Sequence, residues 1–174
     1  MAKIKSIVER LGLAIFPYER KKEQAPELLP GECVDFSNKT EDKSKNGSPE
    51  TDLNLSADEC IEPIKLPEKK KFLWIIDEIE GSLRLRIIPE VTTNEERKHK
   101  PIVCHSNMTA CGKALQGGEC WWCEETKTMY INPKSGRYGA ETVEQWEAVK
   151  EFFIETGYSK LIDSIPSTWA LKTN

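Results

Sequence analysis

Apolar residues near the N-terminus recur every three to four positions, the spacing that places them on one face of a helix. They are Ile4, Ile7, Val8, Leu11, Ala14 and Ile15. The pattern predicts a short amphipathic helix over residues 3 to 16, weakened by Gly12 and stopped by Pro17. A helix this short is marginal alone, so its apolar stripe needs support. We expect it to dock on the protein's own body, ahead of a partner groove or a membrane surface.

The next stretch, residues 22 to 70, shows no such periodicity. It carries polar and acidic runs between five prolines, namely Pro26, Pro30, Pro49, Pro63 and Pro67. A segment of this composition cannot bury enough apolar surface to offset its conformational entropy. The sequence therefore predicts a mostly disordered acidic linker. Cys33 and Cys60 lie inside it and are interpreted as solitary reduced thiols, since neither has a Cys or His partner nearby.

From residue 72 onward the pattern becomes that of strands. Phe72 to Ile76 is a short apolar run rich in aromatic and β-branched residues, which favours a buried strand. Leu83 to Ile88 alternates apolar with basic residues and predicts the second strand of a hairpin, with Gly81 in the turn. Residues 101 to 103 and 126 to 132 are predicted as a third and a fourth strand.

The clearest helix follows these strands. Thr142 and Gln145 form a capping box at its start, and Gly157 stops it. Its apolar face consists of Val143, Trp146, Val149, Phe152 and Phe153. The predicted fold class is therefore α+β, with a small antiparallel sheet and one covering C-terminal helix. Three parts are expected: the N-terminal helix within residues 1 to 21, the linker over 22 to 70, and a domain over 71 to 174.

Composition and charge narrow the classes of protein. The chain has 174 residues and a net charge of −4, which fits one ordinary domain plus an appendage. No run approaches the roughly 18 apolar residues that span a bilayer, and no secretory signal is recognised, so we expect a cytoplasmic protein without integral membrane association. A nucleic-acid-binding domain is usually basic, because it neutralises phosphates, and this composition gives that role no support.

The cysteines supply the main candidate chemistry, because four of the six fall within twenty residues. They are Cys104, Cys111, Cys120 and Cys123. In a Cys-x2-Cys pair, such as Cys120 with Cys123, the backbone turns so that two thiolates face one zinc ion. In a reducing compartment such clusters bind metal more often than they form disulfides. Reduced thiols without metal, and disulfide or redox use, are the remaining alternatives.

The Cys-Gly-Lys run at residues 111 to 113 resembles the second half of the Cys-x2-Cys-Gly-Lys knuckle of zinc ribbons, although the preceding cysteine stands seven residues upstream instead of three. The resemblance is to a zinc-ribbon-like module with four cysteine ligands, a type of site. It implies one structural Zn²⁺ whose ligands are Cys104, Cys111, Cys120 and Cys123. His105 is the substitute ligand if Cys104 faces away. Four thiolates leave no open position for water, so a structural zinc is expected rather than a catalytic one.

Two further groups of residues carry candidate chemistry. Residues 73 to 78 resemble the Walker B strand of nucleotide hydrolases, but the chain has no phosphate loop to accompany it. Asp77, Glu78 and Glu80 are instead candidate ligands for a divalent ion of nuclease type. An interaction surface is predicted at Trp121, Trp122, Lys134, Arg137 and Tyr138. Of the two adjacent tryptophans, one is expected to pack inward and the other to offer an exposed platform.

Together these patterns predict a non-enzymatic, zinc-stabilised interaction module, an adaptor or accessory subunit that binds a protein partner. The first alternative is a nucleic-acid-binding zinc module, which requires basic residues on one face beside an exposed tryptophan. The second alternative is a small metal-dependent nuclease or hydrolase. It requires Asp77, Glu78 or Glu80 to converge in a cleft with a histidine.

Overall fold

The computed structural model describes residues 2–17, 35, 41–44, 71–90, 103–123 and 125–173. Within these ranges, the elements in chain order are α1 (Ala2–Leu11), β1 (Glu41–Ser44), β2 (Phe72–Ile79), β3 (Ser82–Pro89), α2 (His105–Met108), β4 (Gln116–Cys123), β5 (Thr128–Asn132), α3 (Val143–Glu155) and β6 (Leu161–Asp163). The α+β class predicted from the sequence is confirmed. None of the helices described here is long and apolar enough to span a membrane.

The strands form one sheet of six in the order β1-β3-β2-β4-β5-β6. All neighbouring pairs are antiparallel except β5 with β6, which is parallel. Strands β2 and β3 form the predicted hairpin. Its turn holds Glu80 at φ 52° and Gly81 at φ 77°, the two left-handed residues that match a hairpin turn to the twist of its strands.

One face of the sheet carries the larger core. Alternate residues of β2 and β3 point to it, and α1 and α3 pack over it. Trp74 is fully buried there, with its ring centroid 6.4 Å from that of Trp146 and 5.3 Å from that of Phe153. Ile7 and Leu11 of α1 belong to the same core. The N-terminal helix therefore docks on its own domain.

Three features of the fold differ from those predicted. Helix α1 ends at Leu11, because Gly12 adopts φ 85°, a left-handed conformation that terminates helices. Strand β4 was not predicted at all, since its cysteines suggested a metal site. Of the predicted linker, the structure describes Asp35 and β1, and the remainder, with Cys33 and Cys60, lies outside the described residues.

The opposite face of the sheet is smaller and partly polar. Leu73, Ile75 and Ile88 pack there against Met108 of α2, Ala114 and Tyr138. Buried polar residues share this face, and they are Asp77, Arg86, Glu119 and Asn132. The polar face of this small sheet therefore holds several buried charges.

A close approach to Trp74 restricts position 118 to glycine. Gly118 lies opposite Trp74 in the β2–β4 register, and the Trp74 indole N–H donates to the Glu119 carbonyl at 2.9 Å. A Cβ added at Gly118 would lie 2.6 Å from Cζ2 of Trp74, and it would also collide with the carbonyl of Asn132. Only glycine leaves room for the indole at this position.

Gly118→Ala should therefore lower the free energy of unfolding by about 3 kcal/mol, since the added methyl forces Trp74 or the strand to move. Gly81→Ala is the matched control: its Cβ would meet nothing within 4 Å, and only the left-handed backbone costs about 1–2 kcal/mol. Urea unfolding of both variants measures the difference. Equal losses would contradict the described packing of Trp74.

Candidate functional site

The pair Cys120 and Cys123 lies within strand β4 rather than in a turn. Side chains along a strand alternate between the two faces, so residues three apart point in opposite directions. Cys120 is buried in the larger core under the helices, which places Cys123 on the polar face. The two sulfurs therefore lie on opposite sides of the sheet and do not form a zinc knuckle.

The oxidation states separate the four cysteines further. Cys111 and Cys123 are each disulfide-bonded, whereas Cys104 and Cys120 are free thiols. Zinc binds the thiolate, and a disulfide sulfur is not a thiolate. Burial raises the pKa of the Cys120 thiol far above its ordinary value, so this thiol stays protonated. Disulfides persist mainly in oxidising compartments, so the cysteines no longer support a reducing cytoplasm.

The zinc-ribbon resemblance is therefore wrong. Among the residues that the structure describes, no group of three or more His, Cys, Asp or Glu side chains lies close enough together to hold a metal ion. The predicted structural zinc loses the ligand set on which it rested, Cys104, Cys111, Cys120 and Cys123. His105, the predicted substitute ligand, has its own structural partner.

His105 fastens α2 to strand β4. Its Nε2 lies 2.8 Å from the carbonyl oxygen of Gly118. Burial lowers the pKa of His105 below its usual value, against weaker opposing effects of the Gly118 bond and the Glu119 charge. The ring is therefore neutral near pH 7, and its Nε2–H donates to the carbonyl.

Cys104 precedes the helix, with its Sγ 3.1 Å from Ser106 Oγ and 3.0 Å from Asn107 Oδ1.

Glu119 is the centre of a buried polar group on the polar face of the sheet. Only 6% of its surface is exposed. Asn132 Nδ2 donates to its Oε2 at 3.1 Å, while Lys71 Nζ and Lys134 Nζ lie 3.7 and 3.5 Å from its Oε1. The carboxylate is thus compensated by charge and by hydrogen bonding. Sequence reasoning missed Glu119, because its burial depends on the strand β4 that was not predicted.

The five residues of the predicted interaction surface differ in their exposure to solvent. Tyr138 is fully buried, and its hydroxyl donates to the Gly112 carbonyl at 2.9 Å. Lys134 is half exposed, Arg137 is partly buried, and Trp121 packs inward. Trp122 is partly buried, with its ring centroid 5.9 Å from that of Tyr158. These five residues therefore lie partly in the core and do not form one exposed surface.

Asp77 accepts hydrogen bonds from two arginines of the neighbouring strand. Arg84 donates through Nε to Oδ1 at 3.1 Å and through Nη2 to Oδ2 at 3.0 Å, and Arg86 Nη1 donates to Oδ2 at 3.1 Å. Asp77 is only 5% exposed, whereas Glu78 and Glu80 are exposed. These carboxylates do not converge, so they lack the arrangement that a metal-dependent nuclease requires.

The outer edge of β3 holds the feature that sequence reasoning missed most completely. Strand β1, with the sequence Glu-Asp-Lys-Ser, pairs antiparallel with residues 84 to 87 of β3. Glu, Asp and Lys are depleted in strands, so composition gave no signal for it. A segment predicted as linker thus lies in the sheet.

Asp77→Asn should destabilise the protein by about 3–5 kcal/mol, because it removes the carboxylate charge that pairs with the buried Arg86 guanidinium. Glu78→Gln, one residue away and exposed, is the control and should change stability by less than about 0.5 kcal/mol. Chemical denaturation measures both. Similar small effects in the two variants would show that the Asp77 cluster does not support the hairpin.

The free energy of unfolding should also decrease as the pH is lowered, because His105 is buried. Its native pKa is lowered, so the unfolded chain binds the proton more readily, and stability is lost as pH falls below the unfolded value of 6.5. The loss attributable to this residue approaches about 1.4 kcal/mol per pH unit. Thermal melts of wild type and His105→Gln between pH 5 and 8 test this, since glutamine still donates to Gly118. Parallel curves for the two proteins would contradict a neutral buried histidine.

Comparisons with known proteins give no relative for this chain. No protein-family model matches it, and neither a curated protein nor a solved structure is significantly similar. Its function therefore has to be inferred from its own geometry.

Proposed function

We propose that this chain is a non-enzymatic protein-binding module that receives an extended segment of its partner on the outer edge of β3. The proposal retains the interaction role predicted from the sequence and does not involve zinc. The main support for this proposal is strand β1, which pairs along β3 although most of its residues are poor strand formers.

Main-chain pairing accounts for that observation. A strand edge presents N–H and C=O groups that pair with any extended backbone, whatever its side chains. Strand β3 is held on its inner side by β2 along eight residue pairs, from Ile79 with Ser82 to Phe72 with Pro89. Strand β3 is therefore paired along its whole length on one side, independently of β1. Peptide-binding domains use the edge of such a sheet when they add a partner's strand to it.

The buried polar residues support a binding role over a catalytic one. Asp77, Glu119 and His105 each contact groups that hold two elements of the fold together. Each is less than a tenth exposed. A catalytic group has to reach a substrate, and these side chains instead connect β2 with β3, β4 with β5, and α2 with β4.

Replacing Lys43 by proline tests whether β1 can leave the edge while the domain stays folded. Residues of an antiparallel strand bond alternately to one neighbour and the other, and Glu90 N donates to Lys71 O across the β2–β3 pair. Even-numbered residues of β3 therefore bond to β2, whereas Leu85 and Ile87 bond outward to β1. Proline at position 43, opposite Leu85, removes one of the donors that hold β1. In Lys43→Pro we expect the amides of Leu85 and Ile87 to exchange about tenfold faster or more, while those bonded to β2 stay protected.

Lys43→Gln, which keeps the backbone donor, is the matched control and should preserve protection. Hydrogen exchange followed by NMR resolves the individual amides. The opened variant is then screened against a library of random linear peptides. Peptides that bind it should restore protection at the same outward amides. Unchanged exchange in Lys43→Pro, or peptide protection confined to another surface, would contradict strand addition at β3.

A further inference from the structure

The outer edge of β3 alternates in chemistry from one residue to the next. Leu85 and Ile87 point to the larger core and are buried, whereas Arg84 and Arg86 point to the polar face. A strand added to this edge places its own residues in the same alternation. The side chains of β3 therefore specify a pattern as well as a position.

Strand β1 satisfies only half of that pattern. Asp42 stands opposite Arg86 and Ser44 opposite Arg84, so the positions that face the arginines hold an acid and a small polar residue. The other two positions place Glu41 opposite Ile87 and Lys43 opposite Leu85. Charged residues are poor cross-strand partners for buried aliphatic ones, whereas β-branched and aromatic residues stabilise such pairs.

The charges on the polar side favour an acidic partner. Asp77 supplies one carboxylate to the guanidiniums of both Arg84 and Arg86. Arg84 has 21% of its side chain exposed, so it can be approached from outside the sheet. Carboxylates placed opposite these two positions extend an ion-pair network that already exists, and networks are stronger than isolated surface pairs.

We infer, on the basis of the strand addition proposed above, that the partner segment alternates apolar and acidic residues. Its apolar residues lie opposite Leu85 and Ile87, and its acidic residues lie opposite Arg84 and Arg86. The segment takes the place of β1, which acts as a weaker occupant from the same chain. A shift of one residue would place every acid on the core side, so the alternation also fixes the register.

Three short synthetic peptides test this pattern on the full chain. They alternate valine with glutamate, valine with threonine, and valine with lysine, within identical soluble flanks. Fluorescence polarisation should rank their affinities as glutamate over threonine over lysine, with up to about fivefold for each acid that faces an arginine. Lys43→Pro should strengthen binding of all three, since β1 no longer competes.

Two readouts identify the arginines as the cause. Raising the salt concentration should weaken the glutamate peptide and leave the threonine peptide almost unchanged, because exposed charge pairs are screened. Arg84→Gln should reduce the preference for glutamate over threonine by about threefold to fivefold while leaving the threonine peptide's affinity intact. If that variant unfolds, the salt dependence of the wild-type protein decides the question alone.

The outcomes separate this inference from the function on which it rests. Equal binding of the glutamate and threonine peptides would overturn the acidic preference and leave strand addition standing. A preference for the lysine peptide would overturn the assignment of Arg84 and Arg86 as specificity residues. Failure of every peptide to bind Lys43→Pro, with no protection of the outward amides of Leu85 and Ile87, would overturn the proposed function itself.

Discussion

The central strands of the sheet are buried on both faces, and this burial determines where a partner can bind. Strand β2 is buried over six consecutive residues, from Phe72 to Asp77. Helices α1 and α3 cover one face, and α2 with the segment around Tyr138 covers part of the other. A sheet covered in this way offers a partner its edges more readily than its faces. The proposed function follows from that geometry.

The polar face explains how so small a sheet tolerates buried charge. Asp77 with its two arginines, and Glu119 with Asn132 and two lysines, form compensated groups at different points along β2 and its neighbours. Their carboxylates remain buried because each has cationic partners within reach. These groups stabilise the hairpin and the β4–β5 pair. The Asp77 group also gives the β3 edge its basic character.

Sequence periodicity was sufficient for the hairpin and for helix α3. The alternation of apolar and basic residues from Leu83 to Ile88 correctly predicted strand β3. Thr142 and Gln145 form the capping box that their spacing predicted at the start of α3. Strand β4 was not predictable in the same way. Cysteines three apart fit both a metal-binding turn and opposite faces of a strand, and spacing alone does not distinguish them. Two glycines in Gln116–Cys123 weakened the strand signal further.

The pairing of β1 with the edge of β3 could not be predicted from the sequence, for a different physical reason. Glu41–Ser44 pairs through its backbone, which every residue type possesses, so its residue types did not indicate a strand. The pairing of Asp77 with Arg84 could have been predicted more easily, because a two-residue hairpin turn fixes which residues face each other. The disulfide bonding of Cys111 and of Cys123 could not be predicted, since cysteine spacing does not determine connectivity.

Strand addition at β3 can be observed through cross-strand nuclear Overhauser effects in the complex of the full chain with the valine–glutamate peptide. We expect contacts between backbone protons of the peptide and residues 84 to 87 of β3, together with loss of the contacts between β3 and Glu41–Ser44. Peptide contacts at another surface, or β1 contacts that persist unchanged when the peptide is saturating, would contradict strand addition at this edge.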